Sequence, residues 1–206
     1  MMPPVFIPRP ETEGLIDLVA SHHGLADEGD KFNFLEVGCG SGAICLSILS
    51  EYPQTTCVAI DKNKEAVSLT RENVNSCNVR DRITLHHADV RSVLPLLGST
   101  KFDAVISNPP YIPEQDVTLL EPEIFRHEDS QAFHGGSDGL EVIKEILQVS
   151  PKILKPDSSV WLEVDTSHPK MIDQWINSQD LGLKYSATFR DFARSCRPRF
   201  CHITRK

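Results

Sequence analysis

Basic charge is scarce in this 206-residue sequence: 21 lysines and arginines stand against 29 aspartates and glutamates, a formal net charge of −8. A protein that grips nucleic acid by neutralising phosphates needs the opposite balance, so no direct nucleic-acid binding is expected. A basic partner or a cationic ligand suits the chain better. Cys-x-x-Cys pairs are also missing, for Cys39, Cys45, Cys57, Cys77, Cys196 and Cys201 lie scattered. Neither a zinc site nor a disulfide framework is predicted, and an intracellular, reducing compartment is expected. Histidine doublets occur at His22-His23 and His86-His87, but sequence neighbours point to different sides, and no metal is predicted. No apolar run reaches the roughly 18 residues of a membrane span. No signal or arginine-rich transit segment is visible. Repeats and low-complexity tracts are absent. At 40% hydrophobic residues, the chain can bury one sizeable core, which predicts a single monomeric domain over residues 1–206.

What the chain does contain is an alternation. Apolar, β-branched runs predict strands at Phe32–Val37, Thr56–Ile60, Ile83–His87, Phe102–Ser107, Ser159–Val164, Lys184–Phe189 and Phe200–Thr204. Helical periodicity lies between them, at Thr12–Ala20, Ala43–Glu51, Lys64–Ser76, a short stretch near Arg91–Leu97, Leu140–Ile153 and Pro169–Asn177. Strands and helices taking turns imply βαβ units, hence an α/β fold with a mostly parallel seven-stranded sheet covered on both faces. The last two strands are separated by only Arg190 to Arg199, too little for a crossover, which predicts an antiparallel C-terminal hairpin. Residues 109–138 form the one long irregular segment, and such loops are usually functional or mobile.

Where the first strand turns into a long helix stands Leu35-Glu36-Val37-Gly38-Cys39-Gly40-Ser41-Gly42-Ala43. Glycines there allow a tight turn and close approach of a ligand to the backbone. Gly38-x-Gly40-x-x-Ala43 also satisfies the dinucleotide fingerprint, so the glycines alone do not choose a ligand. Glu36 is expected to choose: a carboxylate facing the pocket repels a pyrophosphate and suits a sulfonium and an ammonium. Asp61 ends the second strand, where an acid accepts from both ribose hydroxyls. Asp89 ends the third and is placed to accept from an adenine amino group. Either aspartate alone would more often be a helix cap. Three acids on the carboxyl edge of three successive strands fit the edge where open α/β sheets bind ligands.

The fourth strand runs into Ser107-Asn108-Pro109-Pro110-Tyr111-Ile112-Pro113. Prolines stop strands, so a plain turn would explain this stretch taken alone. On the carboxyl edge, however, it faces the same crevice. The Asn108 side-chain oxygen and the Pro109 carbonyl can accept both N–H bonds of a planar amide or aniline-like nitrogen, leaving its lone pair aimed at a methyl donor. The prolines fix that carbonyl and remove competing donors. Tyr111 can stack on the planar group.

With Glu36-x-Gly38-x-Gly40-x-Gly42, the two strand-end aspartates and Asn108-Pro109-Pro110-Tyr111 in this order, the chain resembles a Rossmann-like, class I S-adenosyl-L-methionine-dependent methyltransferase. Phe6-Ile7-Pro8-Arg9-Pro10-Glu11-Thr12-Glu13 and Gly135-Gly136-Ser137-Asp138-Gly139-Leu140 narrow the resemblance to the HemK/PrmC family. Members methylate N5 of the glutamine in the Gly-Gly-Gln motif of peptide-chain release factors. The resemblance implies S-adenosyl-L-methionine contacts from Gly38, Cys39, Gly40, Ser41 and Gly42, from Asp61, from Asp89 with Val90, and from Asn108. It also implies a glutamine clamp of Asn108, Pro109, Pro110 and Tyr111. Phe6, Arg9 and Thr12 would line the pocket from beneath, although a capped helix start accounts equally well for Arg9 and Thr12. Bacterial members often carry an aromatic where this chain has Val90, which predicts weaker adenine stacking. Family members carry a small helical domain ahead of the Phe6–Thr12 segment, and that domain is expected to be missing from this sequence. Glu163-Val164-Asp165 and the tail from Asp191 look more like organellar relatives, which favours a mitochondrial matrix location over the cytoplasm.

Other functions share parts of the pattern. An exocyclic amine of DNA or RNA could enter the same clamp, but such enzymes need a basic groove that the composition does not offer. A protein lysine would first have to lose a proton. An NAD-dependent oxidoreductase or a non-catalytic binding module completes the alternatives.

Overall fold

The computed structural model describes residues 5, 7–27, 29, 31–117, 132–192 and 196–206. A 3-10 turn at Pro10–Thr12 leads into α1 (Glu13–His22), with proline at a first-turn position where its missing N–H costs nothing. β1 (Phe32–Val37) is almost wholly buried, as expected of a central strand with both faces covered. There follow α2 (Ala43–Glu51), β2 (Thr55–Asp61), α3 (Lys64–Cys77), β3 (Ile83–His87), α4 (Leu94–Leu97), β4 (Phe102–Ser107) and α5 (Glu114–Val117). The rest is α6 (Glu141–Ile153), β5 (Leu154–Glu163), α7 (His168–Ser178), β6 (Leu183–Arg190) and β7 (Pro198–Arg205). Local chemistry sets the ends of α3. The Asn63 side chain accepts from the Glu65 and Ala66 N–H groups, and Asn78 stops the helix in the left-handed region.

The strands order as β3-β2-β1-β4-β5-β7-β6. The first five are parallel, and β7 lies antiparallel between β5 and β6, as the short Arg190–Arg199 connection predicts. From β1 the chain steps outward through β2 and β3, then returns to the other side of β1 to form β4. That reversal opens a crevice at the carboxyl ends of β1 and β4. One face of the sheet packs Leu15, Val19, Ile44, Ile48 and Leu49 from α1 and α2. The other packs Ile143, Ile146, Leu147, Ile172 and Ile176 from α6 and α7. Among the described residues no helix is long and apolar enough to cross a membrane.

β5 departs most from the sequence expectation, beginning at Leu154 rather than Ser159. Within the added stretch Asp157 adopts φ 57°. Yet pairing with β4 starts before that kink, Phe102 with Leu154, and resumes after it, Ala104 with Ser159. The kink is therefore a bulge inside one strand. In the 109–138 segment, expected to be irregular, α5 and a bridge between Ile112 and His134 give structure to its ends. Residues 118–131 lie outside the described part.

Three imidazoles cluster against the second half of β5, around Ser159 and Trp161, with His202 buried, His23 half-buried and His22 exposed. His202 stacks on Trp161 at 4.1 Å, His22 stands edge-on to both, and His23 contacts the Ser159 hydroxyl at 3.2 Å. Burial, then the neighbouring imidazoles, pushes His23 and His202 down to about 4 from the ordinary 6.5. Both stay neutral in the folded protein while the unfolded chain takes up protons. Stability is therefore intact above pH about 6.5 and is lost as pH falls towards 4. The urea midpoint of the protein should drop across that window, and less steeply in His202→Phe, which removes one of the two groups. Equal slopes for the two proteins would exclude this cause.

Candidate active site

Val37 pairs with Ser107, and the Ser107 hydroxyl donates to the Val37 carbonyl at 2.6 Å. The residues that follow, Gly38 and Asn108, therefore leave the sheet side by side. A cavity of about 570 Å³ opens at this point, a size suited to a cofactor-like molecule. Of the residues expected from sequence it is lined by Arg9, Gly38, Gly40, Asp61, Asp89, Val90 and all four of Asn108, Pro109, Pro110 and Tyr111.

Gly38 and Gly40 have φ of 76° and 56°, and a Cβ on either would meet no protein atom within 4 Å. A side chain there would stand in the cavity, so their absence of one makes the cradle. Asp61 ties the cradle to the next loop: its Oδ2 accepts from the Gly40 N–H at 2.9 Å and its Oδ1 from the Asn63 N–H at 2.8 Å. Burial raises its carboxyl above the usual range, against the pull of those two bonds. Asp89 is engaged by Arg91, which donates from its backbone N–H and its guanidinium to both carboxylate oxygens. That guanidinium holds Asp89 below the ordinary carboxylate value.

Glu36 stands elsewhere than expected. It is 1% exposed, lies behind the loop rather than on the cavity wall, and accepts from the Cys45 N–H at 3.1 Å in the first turn of α2. Burial pushes its carboxyl up to about 8, so at neutral pH it is mostly uncharged. Glu36 thus braces the loop and sets up no field against a pyrophosphate. Cys39, Ser41 and Gly42 also support the loop from behind. The Cys39 thiol contacts the Thr70 hydroxyl, the Ser41 carbonyl accepts from Asn73, and a Cβ on Gly42 would fall 2.9 Å from Thr70. Thr12 is buried next to the cavity without lining it. The expectation for Phe6 lies outside the described residues.

The segment after Asn108 is stitched to the chain that follows the long loop. The Ile112 N–H donates to the Phe133 carbonyl at 2.9 Å, and the Gly135 N–H to the Ile112 carbonyl at 2.8 Å. Gly139, at φ 75°, packs so closely that a Cβ would sit 2.5 Å from the Tyr111 carbonyl oxygen and 2.8 Å from His168 Nε2. This accounts for Gly135 and Gly139, which let the backbone press on Tyr111 from behind, whereas a Cβ on Gly136 would meet the Glu141 side chain. Sequence reasoning missed Arg199, whose Nη2 donates to the Tyr111 hydroxyl at 3.0 Å and to Glu163 Oε1 at 3.1 Å. Its partner lies 88 residues away, and no local pattern signals such a contact. Lys62 and Arg91, also on the wall, could have been suspected from their places one and two residues after the strand-end acids Asp61 and Asp89.

A seven-stranded sheet of this order, with a glycine cradle after β1 and acids after β2 and β3, is the architecture of Rossmann-like, class I methyltransferases. The chain belongs to the methyltransferase small domain family, which matches residues 18–137. Human MTRF1L release factor glutamine methyltransferase is 45% identical over 213 residues, covering 100% of this chain and 62% of the human protein. The release factor glutamine methyltransferase of Caulobacter vibrioides is 37% identical over 169 residues, 82% of this chain and 56% of that protein. The chain thus spans less than two thirds of these relatives. The resemblance read from the motifs is borne out by these alignments. Among solved structures, a methyltransferase from Pyrococcus furiosus superposes with a TM-score of 0.67 at 16% identity, over 99% of this chain and 86% of the other. That likeness is one of fold.

Gly139→Ala should destabilise the protein by about 1–3 kcal/mol through overpacking, on top of the strained φ. Gly182→Ala, at φ 64° with nothing within 4 Å, should cost only the conformational part, about 1–2 kcal/mol. Urea denaturation of both variants checks the difference.

Proposed function

We propose that this chain is a single catalytic domain that transfers a methyl group from S-adenosyl-L-methionine to the side-chain amide nitrogen, N5, of the glutamine in the Gly-Gly-Gln motif of a peptide-chain release factor. The observation that carries the reading is that the glycine cradle and the Asn108–Tyr111 clamp line one cavity. The names of the relatives supply the substrate class. A mitochondrial matrix location goes with this reading through the resemblance to organellar relatives.

The residues present fit such a cofactor. Gly38 and Gly40 leave backbone open to it, Asp61 would take the ribose hydroxyls, and Asp89 with Val90 would flank the adenine. When bound, the cofactor supplies an electrophilic methyl group on a positively charged sulfur. On the substrate side, the Asn108 side-chain oxygen and the Pro109 carbonyl accept the two amide N–H bonds. Pro109 and Pro110 bring no N–H of their own to compete. Tyr111, held at its hydroxyl by Arg199, fixes the tilt of the planar group. Positive charge grows on the nitrogen as the methyl arrives, and these fixed acceptors stabilise that charge more than the starting amide. The methylated nitrogen is acidic and releases its proton late, so positioning replaces a general base. A net charge of −8 favours long-range attraction to a basic release factor, an attraction that weakens with salt.

Asn108→Ala should lower turnover about a hundredfold or more, the effect of deleting one transition-state hydrogen-bond partner. Asp61→Asn should weaken cofactor binding about 10- to 100-fold in calorimetry, the worth of a charge-assisted hydrogen bond. The substrate is tested with labelled cofactor and a release factor whose Gly-Gly-Gln glutamine is intact or replaced. Label is expected on the intact protein alone, and label on the replaced one overturns the assignment.

A further inference from the structure

One buried carboxylate sits between the two ends of the clamp. Glu163, at the carboxyl end of β5, is 0% exposed. Its Oε2 accepts from the Thr12 hydroxyl at 2.8 Å and its Oε1 from Arg199 Nη2 at 3.1 Å. Each partner reaches onward to the clamp. Asn108 Nδ2 contacts the Thr12 hydroxyl oxygen at 3.5 Å, and the same Arg199 Nη2 donates to the Tyr111 hydroxyl at 3.0 Å. The chain of contacts runs Asn108, Thr12, Glu163, Arg199, Tyr111, and it joins residues from the start of α1, β5 and β7 to both ends of the tetrapeptide.

With Glu163 ionised beside Arg199, the donors and acceptors in this chain admit one direction. Arg199 only donates, so Glu163 must accept from it. A hydroxyl has a single proton, and Thr12 gives its proton to Glu163. What remains on the Thr12 oxygen is acceptor capacity, which can receive only the NH2 end of the Asn108 amide. The oxygen end of that amide is thereby left for the cavity side. We propose that Glu163 is a positioning residue: through Thr12 it sets which end of the Asn108 amide faces the substrate, and through Arg199 it fixes the tilt of Tyr111. The inference rests on the glutamine-methylating reading above and adds to it the device that makes Asn108 an acceptor. An amide turned the other way would present two N–H groups to the two N–H groups of the substrate.

Glu163→Gln separates this role from mere packing, because shape is kept and direction is lost. Its oxygen must face Arg199, so its NH2 turns to Thr12, which then gives its own proton to Asn108 and draws the Asn108 oxygen away from the cavity. Thr12→Val reaches the same point by removing the relay, and Thr12→Ser keeps the relay. The side-chain amide resonances of Asn108, identified by their loss in Asn108→Ala, report its direction in the protein without ligands. They should move in Glu163→Gln and Thr12→Val and stay in place in Thr12→Ser. With cofactor and release factor, kcat should fall about a hundredfold in Glu163→Gln and Thr12→Val, while calorimetric cofactor affinity stays within about threefold. Glu163→Gln added to Asn108→Ala should cost nothing further, as expected of groups acting through one contact. Unmoved Asn108 resonances, a kcat within about threefold of wild type, or additive losses in the double variant would each overturn the proposal. Absence of label on the release factor with the unaltered protein would sink the substrate reading alone, and the Asn108 resonances would still decide the direction of the amide. If Glu163→Gln fails to fold, Thr12→Val carries the same three measurements.

Discussion

A single hydroxyl-to-carbonyl contact, Ser107 Oγ to the Val37 oxygen at 2.6 Å, closes the last rung between β1 and β4. Everything chemical in this protein starts one residue beyond it. Parallel strands deliver their carboxyl ends to the same edge, and the reversal of strand order at β1 and β4 keeps that edge from being roofed by a crossover. Gly38 and Asn108 thus begin as neighbours. Their loops diverge to form the cradle and the clamp, with Asp61 and Asp89 arriving from the next two strands. A slip of β4 by one residue against β1 would send alternate side chains to the opposite face and move Asn108 along the edge.

Two buried carboxyls show how environment divides roles. Glu36 lies behind the cradle with the Cys45 N–H and thiol as its partners, and burial holds it mostly uncharged as a brace. Burial also raises Glu163, but Thr12 and Arg199 oppose that rise. Isolating such a group from water costs several kcal/mol unless each oxygen finds a donor. Glu163 finds one on each side, and both donors touch the clamp. Its energetic need for partners and its ordering of the site are therefore one requirement.

Much of the framework is legible in the residues. The runs at Phe32–Val37, Ile83–His87 and Phe102–Ser107 match their strands to the residue: the two central ones are almost wholly buried, and the half-exposed edge strand Ile83–His87 is marked by its β-branched start. β5 starts earlier than its apolar run suggests, because Pro156-Asp157 sits in a bulge within the strand rather than ahead of it. Glycine and strand-end acids mark the cavity through spacing alone. Spacing could not tell that Glu36 faces inwards: alternation along a strand buried on both faces gives no sign of which side opens to a ligand.

Sequence by itself determined the element order, the edge on which the loops gather and the residue types of cradle and clamp, since these follow from local periodicity and from backbone freedom at glycine and proline. Tertiary structure alone decided what stands behind them. Arg199 meets Tyr111, and Glu163 meets Thr12, across 88 and 151 positions of chain. Such contacts exist only once β5 and β7 are paired and α1 is docked on the sheet, for donor and acceptor direction is settled by distance in space, which no local pattern encodes.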